Sequence, residues 1–216
     1  MTQDVSSTGD ATGQVRQGVA AFPKYEPVQA SPDYSGCVAQ MRRLLDVIRL
    51  ANPGDDVWSD VAGRVREIAD LLEPEIVAER DAPAGLAENV PGFGSLLMPA
   101  WTITDQSPEG VTMSGHFGRF YLGANNVVHG GALPLLFDWH FALINDAACR
   151  PISRTAYLHI DYRAAAWVDA PLIATGRVDS VVGRKTYLSA ELTSVGGNTV
   201  VAQAKALMVT LLAHQP

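Results

Sequence analysis

A single carboxylate in an apolar stretch is the residue of this sequence that most needs an explanation. Asp138 lies among leucines and aromatic residues, and aspartate is rarely buried without a partner. Shortly before it come His129, Gly130 and Gly131. Glycines allow tight turns and close backbone approach, and the start of a helix exposes unpaired N–H groups at its positive dipole end. Together these residue types predict a site that binds a developing negative charge beside a carboxylate.

The helix predicted over residues 131–148 determines which way Asp138 points. The face expected to pack against a sheet carries Leu133, Leu136, Phe137, His140, Leu143 and Ile144. The face rotated away from it carries Gly131, Leu135, Asp138, Ala142 and Asn145. The carboxylate therefore points out of the subunit's own core, into surroundings too apolar for plain solvent. A second subunit over this face would place Asp138 in a cleft, where it can act as a general base or a nucleophile.

Three of these residues also have plain structural interpretations. Asp138 could cap or hydrogen-bond a loop of its own chain, and His129 could fix the loop in which it lies. His140 is on the core-facing side of the helix and is expected to be a core residue. A metal site made of all three is disfavoured because their spacing scatters them around the helix, so we expect no metal.

From about residue 99 the apolar pattern switches to a period of two, which predicts strands. The predicted strands are 101–104, 111–117, 155–163, 171–182, 185–194 and 199–212. Gly183-Arg184 and Gly196-Gly197-Asn198 have the length and chemistry of hairpin turns. Two strands, the helix and four more strands predict an α+β fold in which one long helix packs across an antiparallel sheet.

The first half of the chain is organised differently. Residues 1–34 are rich in Ser, Thr, Gly, Gln and Pro, which predicts a disordered or loosely ordered segment. Residues 35–98 are predicted to form two amphipathic helices, separated by Asn52-Pro53-Gly54, and a connector with several Pro and Gly breakers. Two helices of this length are not stable alone. We therefore expect an antiparallel hairpin that packs on the rest of the protein, residues 99–216.

Composition excludes several classes of function. The net charge is −7, and without a basic block nucleic acid is not an expected partner. No run approaches the roughly 18 apolar residues that a membrane span needs, and the amino end lacks the pattern of a secretory signal. The two cysteines, Cys37 and Cys149, form no readable disulfide framework or zinc site. A reduced, cytoplasmic setting is expected.

The spacing from His129-Gly130-Gly131 to Asp138, within this order of elements, resembles the PaaI-like branch of the hotdog-fold acyl-CoA thioesterases. The resemblance covers about residues 99–212 and includes the Gly183-Arg184-Lys185 hairpin. It implies a hotdog fold, in which an antiparallel sheet wraps a long central helix. It also implies that subunits pair their sheets edge to edge, as a homodimer or a dimer of dimers.

The same resemblance assigns roles to the residues of the site. Asp138 would act as a general base on water or as a nucleophile on the thioester carbonyl. The oxyanion donor would be a backbone N–H of Gly131 or its neighbour Gly130, in agreement with the helix N-terminus argument. His129 would orient the loop or the thioester, and Thr155 on the next strand would help to place the water. No metal or redox cofactor is implied.

The resemblance also suggests where an acyl-CoA would bind. Coenzyme A carries phosphates, so Arg184 and Lys185, after Gly183 in the tight hairpin, are expected at the mouth of the cleft, although a plain solvated turn explains them as well. The acyl pocket should be apolar. Its candidate residues are Leu135, Phe137, Trp139 and Phe141, although most aromatic residues at helical spacing are simply core residues.

One position departs from the pattern of the family. Some relatives carry an asparagine six residues before the histidine, where this chain has Gly123. Asn125 and Asn126 lie close by but out of register, and Asn126 stands where relatives commonly have glycine, in agreement with the left-handed backbone that asparagine tolerates. The side-chain help of that asparagine would be missing or would come from Asn125.

These observations predict an enzyme that hydrolyses an acyl-CoA to a free carboxylic acid and CoA. The alternative is a non-catalytic hotdog protein that binds acyl-CoA as a sensor or scaffold, because a fold does not fix a function. The intact spacing to Asp138 favours the enzyme. A hotdog hydratase is disfavoured because that branch needs an Asp and a His paired on one loop, and no such pair precedes this helix.

Overall fold

The computed structural model describes residues 25–212. In that part of the chain six strands form one antiparallel sheet in the order β1-β2-β4-β5-β6-β3. The strands are β1 (Thr102–Ser107), β2 (Gly110–Gly115), β3 (Ser153–Tyr162), β4 (Leu172–Val182), β5 (Lys185–Ser194) and β6 (Val200–Thr210). The α-helices are α1 (Pro32–Ile48), α2 (Asp55–Leu72) and α3 (Ala132–Ala147).

Helix α3 packs across one face of the sheet, which is the predicted α+β architecture. Leu136, Phe137 and Phe141 are fully buried between helix and sheet. Close approach requires a glycine in β4, because a Cβ on Gly176 would come within 2.6 Å of the Ile144 side chain. The predicted ends of the helix and of five strands agree with the observed ends to within two residues, while β1 extends three residues further than predicted.

The two predicted faces of α3 are largely confirmed. On the core face Leu143 is half-buried and the other predicted residues are buried, while Asp138 and Ala142 are exposed on the other face. The prediction for Asn145 is wrong. This residue is buried and its amide donates a hydrogen bond to the carbonyl of Pro151 at 3.2 Å, because the chain turns back over the end of α3 to enter β3.

Helix α1 begins earlier than predicted and is held to the connector. Ser31 caps it by accepting a hydrogen bond from the Tyr34 N–H, and Pro32 is its first residue. Before the cap, Ala30 and Asn89 exchange two hydrogen bonds of 2.9 Å. Residues 25–34 are thus tied to the connector, whereas the rest of the segment predicted to be loosely ordered, residues 1–24, lies outside the described residues. The proposed division into domains stays a prediction.

The prediction that both N-terminal helices pack on the rest of the protein holds for α1 only. Val38 of α1 forms a small apolar cluster with Ala87 and Val90 of the connector. Helix α2 buries none of its residues, and its apolar side chains, such as Leu71 and Leu72, stay exposed. No helix between residues 25 and 212 is long and apolar enough to cross a membrane.

The burial of His140 leads to a prediction about the pH dependence of stability. Its Nε2 lies 2.9 Å from the carbonyl oxygen of Val111, which can only accept, so Nε2 carries the proton and the buried Nδ1 has no partner in the described residues. Burial lowers the pKa of His140 below its ordinary value of 6.5, outweighing the opposing effect of this hydrogen bond. His140 therefore binds a proton less readily in the folded protein than in the unfolded chain, where it becomes protonated below about pH 6.5.

We expect the free energy of unfolding to fall as the pH drops below about 6.5, by up to about 1.4 kcal/mol per pH unit. His140→Gln keeps an amide donor for Val111 and removes the titration, so this variant should lose less stability over the same range. Urea unfolding of both proteins at pH 7.5 and pH 5.5 measures the difference. Equal losses in the two proteins would contradict the assignment.

Candidate active site

The turn from His129 to Gly131 is held by its own histidine. The imidazole Nδ1 of His129 accepts a hydrogen bond from the Gly131 N–H at 3.0 Å, and the Ala132 N–H donates to the His129 carbonyl at 2.9 Å. Because Nδ1 is the acceptor, a neutral ring carries its proton on Nε2. The geometry matches a residue that fixes the loop, which is one of the roles considered for His129.

Gly130 has a different environment from Gly131. Its carbonyl accepts a hydrogen bond from the Tyr162 hydroxyl at 2.9 Å, while its N–H donates to no acceptor within residues 25–212. The residue is exposed and directly precedes the N-terminal end of α3, where the helix dipole is positive. Of the two donors predicted for an oxyanion, Gly131 is thus occupied by His129 and Gly130 is free.

Asp138 lies on the exposed face of α3 and contacts the neighbouring strand. The hydroxyl of Thr155, in β3, donates a hydrogen bond of 2.8 Å to Asp138 Oδ1. No described residue donates to Oδ2. Asp138 does bond its own chain, as the structural interpretation anticipated, but one hydroxyl leaves the second oxygen open to a ligand or water. The structure therefore brings Asp138 and Thr155 together.

The two asparagines adopt the backbone expected of Asn126. Asn125 has φ of 52° and Asn126 has φ of 61°, so the left-handed prediction for Asn126 is confirmed. Their side chains are exposed. A Cβ on Gly123 would lie 3.1 Å from His129 Cα, which is tighter than ordinary contact. A larger residue at this position would require the histidine backbone to move by a few tenths of an ångström.

The hairpin of Gly183, Arg184 and Lys185 lies two strands away from Thr155. Gly183 has φ of 57°, as this tight turn requires, and the Arg184 guanidinium donates to the Thr210 carbonyl at 2.9 Å. In the sheet register Thr155, Met208 and Thr186 are aligned, and the latter two are buried beneath α3. Lys185, one residue earlier, therefore faces the other side of the sheet. Within one subunit the hairpin does not converge on Asp138.

The candidates for the acyl pocket separate into two groups. Phe137 and Phe141 are fully buried and stack on each other with ring centroids 6.3 Å apart, so they belong to the core and cannot line an open pocket. The prediction is wrong for these two. Leu135 and Trp139 are half-buried, and Trp139 meets Phe93 of the connector edge to face at 5.5 Å.

The large grooves of this single subunit lie elsewhere. One of about 690 Å³ runs between α1 and residues 116–121, and another of about 750 Å³ lies along the polar face of the sheet. Asp138 lines neither of them. No group of three or more His, Cys, Asp or Glu in the described part of the chain is arranged to hold a metal ion.

Three residues around the turn were not identified from the sequence. Tyr162 holds the Gly130 carbonyl, and the Tyr121 carbonyl accepts from the His129 N–H at 2.7 Å. Burial raises the pKa of Tyr121 to about 12, so its hydroxyl stays protonated at neutral pH. Asp46 of α1 accepts a hydrogen bond from the Phe120 N–H at 2.8 Å. No spacing or motif in the sequence links Asp46 to a turn so distant along the chain.

Comparisons with known proteins agree with this geometry. Residues 125–202, which include the turn, Asp138 and Thr155, match the family model of the thioesterase superfamily. The crystal structure of a thioesterase superfamily protein superposes with a TM-score of 0.72 at 24% identity, over 89% of this chain and 100% of that chain. No curated protein matches the chain.

Two further solved structures align over a smaller part. A hypothetical thioesterase from Streptococcus pneumoniae, solved with coenzyme A, is 20% identical over 52% of this chain and 86% of its own, with a TM-score of 0.49. An N33D variant of the phenylacetic acid degradation protein PaaI from Thermus thermophilus is 22% identical over 51% and 93%, with a TM-score of 0.47.

The chain therefore has the hotdog fold, as the resemblance implied, and its residues 125–202 match the model of the thioesterase superfamily. The alignment with the first of these structures extends beyond that segment. Since residues 99–216 are little more than half of the chain, a likeness over 89% of it includes N-terminal residues. The structural likeness to that protein is thus not confined to the sheet and α3.

Proposed function

We propose that this protein is a thioesterase that hydrolyses an acyl-CoA to a carboxylic acid and CoA. The observation that carries the proposal is the combination of an open carboxylate on α3, Asp138, with a free backbone N–H at Gly130, in the turn that directly precedes this helix. The segment that contains them matches the thioesterase superfamily. A base or nucleophile opposite an oxyanion donor is what acyl transfer requires.

The helix sets the spacing of these two groups. From Gly131, the cap of α3, to Asp138 the helix rises about 10 Å, at 1.5 Å per residue. Helical side chains lean toward the N-terminus, so the carboxylate leans toward the turn. The space between the Asp138 carboxylate and the Gly130 N–H has room for a thioester carbonyl at Gly130 and for a water molecule between this carbonyl and Asp138. The spacing supports a general base more than a nucleophile.

The proposed reaction uses a few groups in a fixed order. Asp138 Oδ2 takes a proton from water while the water oxygen attacks the carbonyl carbon of the thioester, and the Gly130 N–H stabilises the resulting oxyanion. The tetrahedral intermediate then collapses, the C–S bond breaks, and Asp138 returns the proton to the CoA thiolate. Thr155 holds Oδ1, so that Oδ2 faces the water, and its hydroxyl oxygen can accept a hydrogen bond from that water.

A second subunit is proposed to complete the cleft. Among residues 25–212 strand β3 pairs only with β6, so these residues leave its other edge open. Thr155 lies on this strand next to Asp138. Large apolar side chains near this edge, Tyr157 and Tyr162, are exposed. Pairing of the β3 edges of two subunits would cover them and exclude water from the site.

Dilution tests this requirement. If two subunits form the cleft, the activity per subunit should fall at protein concentrations where sedimentation shows dissociation into monomers. Activity that stays constant while the monomer predominates would contradict the shared site.

The hairpin residues Arg184 and Lys185 are proposed to meet the phosphates of CoA from the partner subunit, since they do not reach Asp138 of their own subunit. The double change to alanine should then raise KM for an acyl-CoA but not for the corresponding acyl-pantetheine, which lacks the nucleotide phosphates. Equal effects on both substrates would contradict this role.

The central prediction concerns Asp138. Asp138→Asn removes the base while keeping shape and the hydrogen bond from Thr155, so thiol release from a panel of short, long and aromatic acyl-CoAs should fall by at least about 100-fold in kcat. Asp105→Asn is a matched control, because this aspartate is exposed on β1, and it should keep wild-type activity.

Two results would overturn the assignment. Wild-type kcat in Asp138→Asn would show that another group is the base. Tight acyl-CoA binding by the wild-type protein, without thiol release from any member of the panel, would support the non-catalytic binder instead.

An isotope experiment separates the base from the nucleophile. After a single turnover in ¹⁸O-labelled water, a general base leaves the label only in the product acid, which is the expected result. A nucleophilic carboxylate would form an anhydride with the acyl group, and attack of water on the Asp138 carbonyl of this anhydride would place ¹⁸O in Asp138 itself. Mass spectrometry of the peptide that contains Asp138 detects this label, and its presence would rule out the water mechanism.

A further inference from the structure

We propose that Asp46 of α1 is a positioning residue for the turn that carries Gly130, so that the N-terminal helix is part of the active-site framework. The inference rests on the proposed thioesterase function for its kinetic consequence. Its structural part concerns how the turn is held and stands without that function.

Helix α1 holds the loop that follows β2 through polar contacts. The carboxylate of Asp46 accepts a hydrogen bond of 2.8 Å from the Phe120 N–H, and the guanidinium of Arg49, one turn further along α1, donates to the Leu122 carbonyl at 3.1 Å. Gly118 makes the first contact possible, because a Cβ there would come within 2.6 Å of the Asp46 Oδ1. The loop backbone thus bonds α1 at two positions, Phe120 and Leu122.

The same loop holds the backbone of the histidine turn. The Tyr121 carbonyl, between the two residues bonded by α1, accepts from the His129 N–H at 2.7 Å. Leu122 and Val128 form an isolated antiparallel bridge, and the Gly123 N–H donates to Val127 at 2.8 Å. Residues 121–123 and residues 127–129 therefore run side by side. A shift of the first segment is expected to move the second.

Asp46 contributes much of the interaction between α1 and the loop that follows β2. Val38 is the only buried residue of α1, so apolar burial alone docks the helix weakly. A hydrogen bond to a charged acceptor is about twice as strong as a neutral one. The other side chains that hold the turn, the Tyr162 hydroxyl on the Gly130 carbonyl and the His129 imidazole on the Gly131 N–H, do not bond the preceding loop. Without Asp46 that loop keeps its bond from Arg49 at Leu122 but loses the one at Phe120, and we expect the Gly130 N–H to shift with it.

The effect on catalysis should appear in kcat rather than KM, because the oxyanion donor acts in the transition state. A misplacement of about 1 Å can cost about 100-fold in rate. We expect Asp46→Ala to lower kcat by between about 10-fold and 100-fold, with KM changed much less. Asp46→Asn keeps a side-chain oxygen that can accept from the Phe120 N–H, so it should stay close to the wild-type kcat.

The control is Asp33→Ala, which removes an exposed aspartate at the other end of α1 and should leave kcat unchanged. Amide hydrogen exchange of residues 118–122 and 128–131 provides a readout that needs no activity. Exchange in both segments should be faster in Asp46→Ala than in the wild type, and Asp46→Asn should restore the slow rates.

Gly118→Ala tests the same contact from the other side. Its methyl group should displace the Asp46 carboxylate and reproduce the fall in kcat and the faster exchange. The double variant Asp46→Ala/Gly118→Ala should be no worse than Asp46→Ala, since the group that clashes is gone. This series remains informative if one single variant fails to fold.

Three results would overturn the proposal: unchanged exchange at residues 128–131 in folded Asp46→Ala, equal loss of kcat in Asp46→Asn and Asp46→Ala, or additive losses in the double variant. If the wild-type protein releases no thiol from any acyl-CoA, the proposed function fails. The exchange measurements then decide the positioning role by themselves.

Discussion

The packing of α3 against the antiparallel sheet is the interaction on which the rest of the structure depends. Burial of one face of the helix, at Leu136, Phe137 and Phe141, fixes the opposite face outward, and Asp138 lies on that face. The same packing directs the N-terminal end of α3 to the glycine turn. Asp138 and the cap residue Gly131 therefore belong to one rigid element, and the distance from the carboxylate to the start of the turn that carries Gly130 follows from helix geometry.

The two halves of the site are held in different ways. Asp138 is held by the helix and by the Thr155 hydroxyl, so the core and β3 position it. The Gly130 N–H belongs to a turn outside regular structure, and side chains and neighbouring backbone position it, with His129 on the inside and Tyr162 on the outside. Because the His129 imidazole accepts the hydrogen bond of the Gly131 N–H, the Gly130 N–H is left as the free donor of this turn. The α1 contacts extend this support to the N-terminal part of the chain.

Much of this arrangement could be predicted from the sequence, because it follows from periodicity and spacing. The alternation of the strands, the faces of α3 and the proximity of Thr155 to Asp138 are local patterns or follow from a family resemblance. The buried Asn145, the exposed α2 and the core position of Phe141 could not be predicted, because each depends on how distant segments pack. The bond from Asp46 to Phe120 joins residues far apart along the chain, and no period or motif reports such a contact.

The central claim is that the Gly130 N–H, and not that of Gly131, binds the thioester oxygen opposite Asp138. NMR of ¹⁵N-glycine-labelled Asp138→Asn protein tests it directly, with an acyl-CoA analogue in which a methylene group replaces the thioester sulfur and the carbonyl is kept. We expect the Gly130 amide proton to move downfield and to exchange more slowly when the analogue binds, while the Gly131 resonance changes little. A shift confined to Gly131, or binding of the analogue with neither resonance affected, would contradict it.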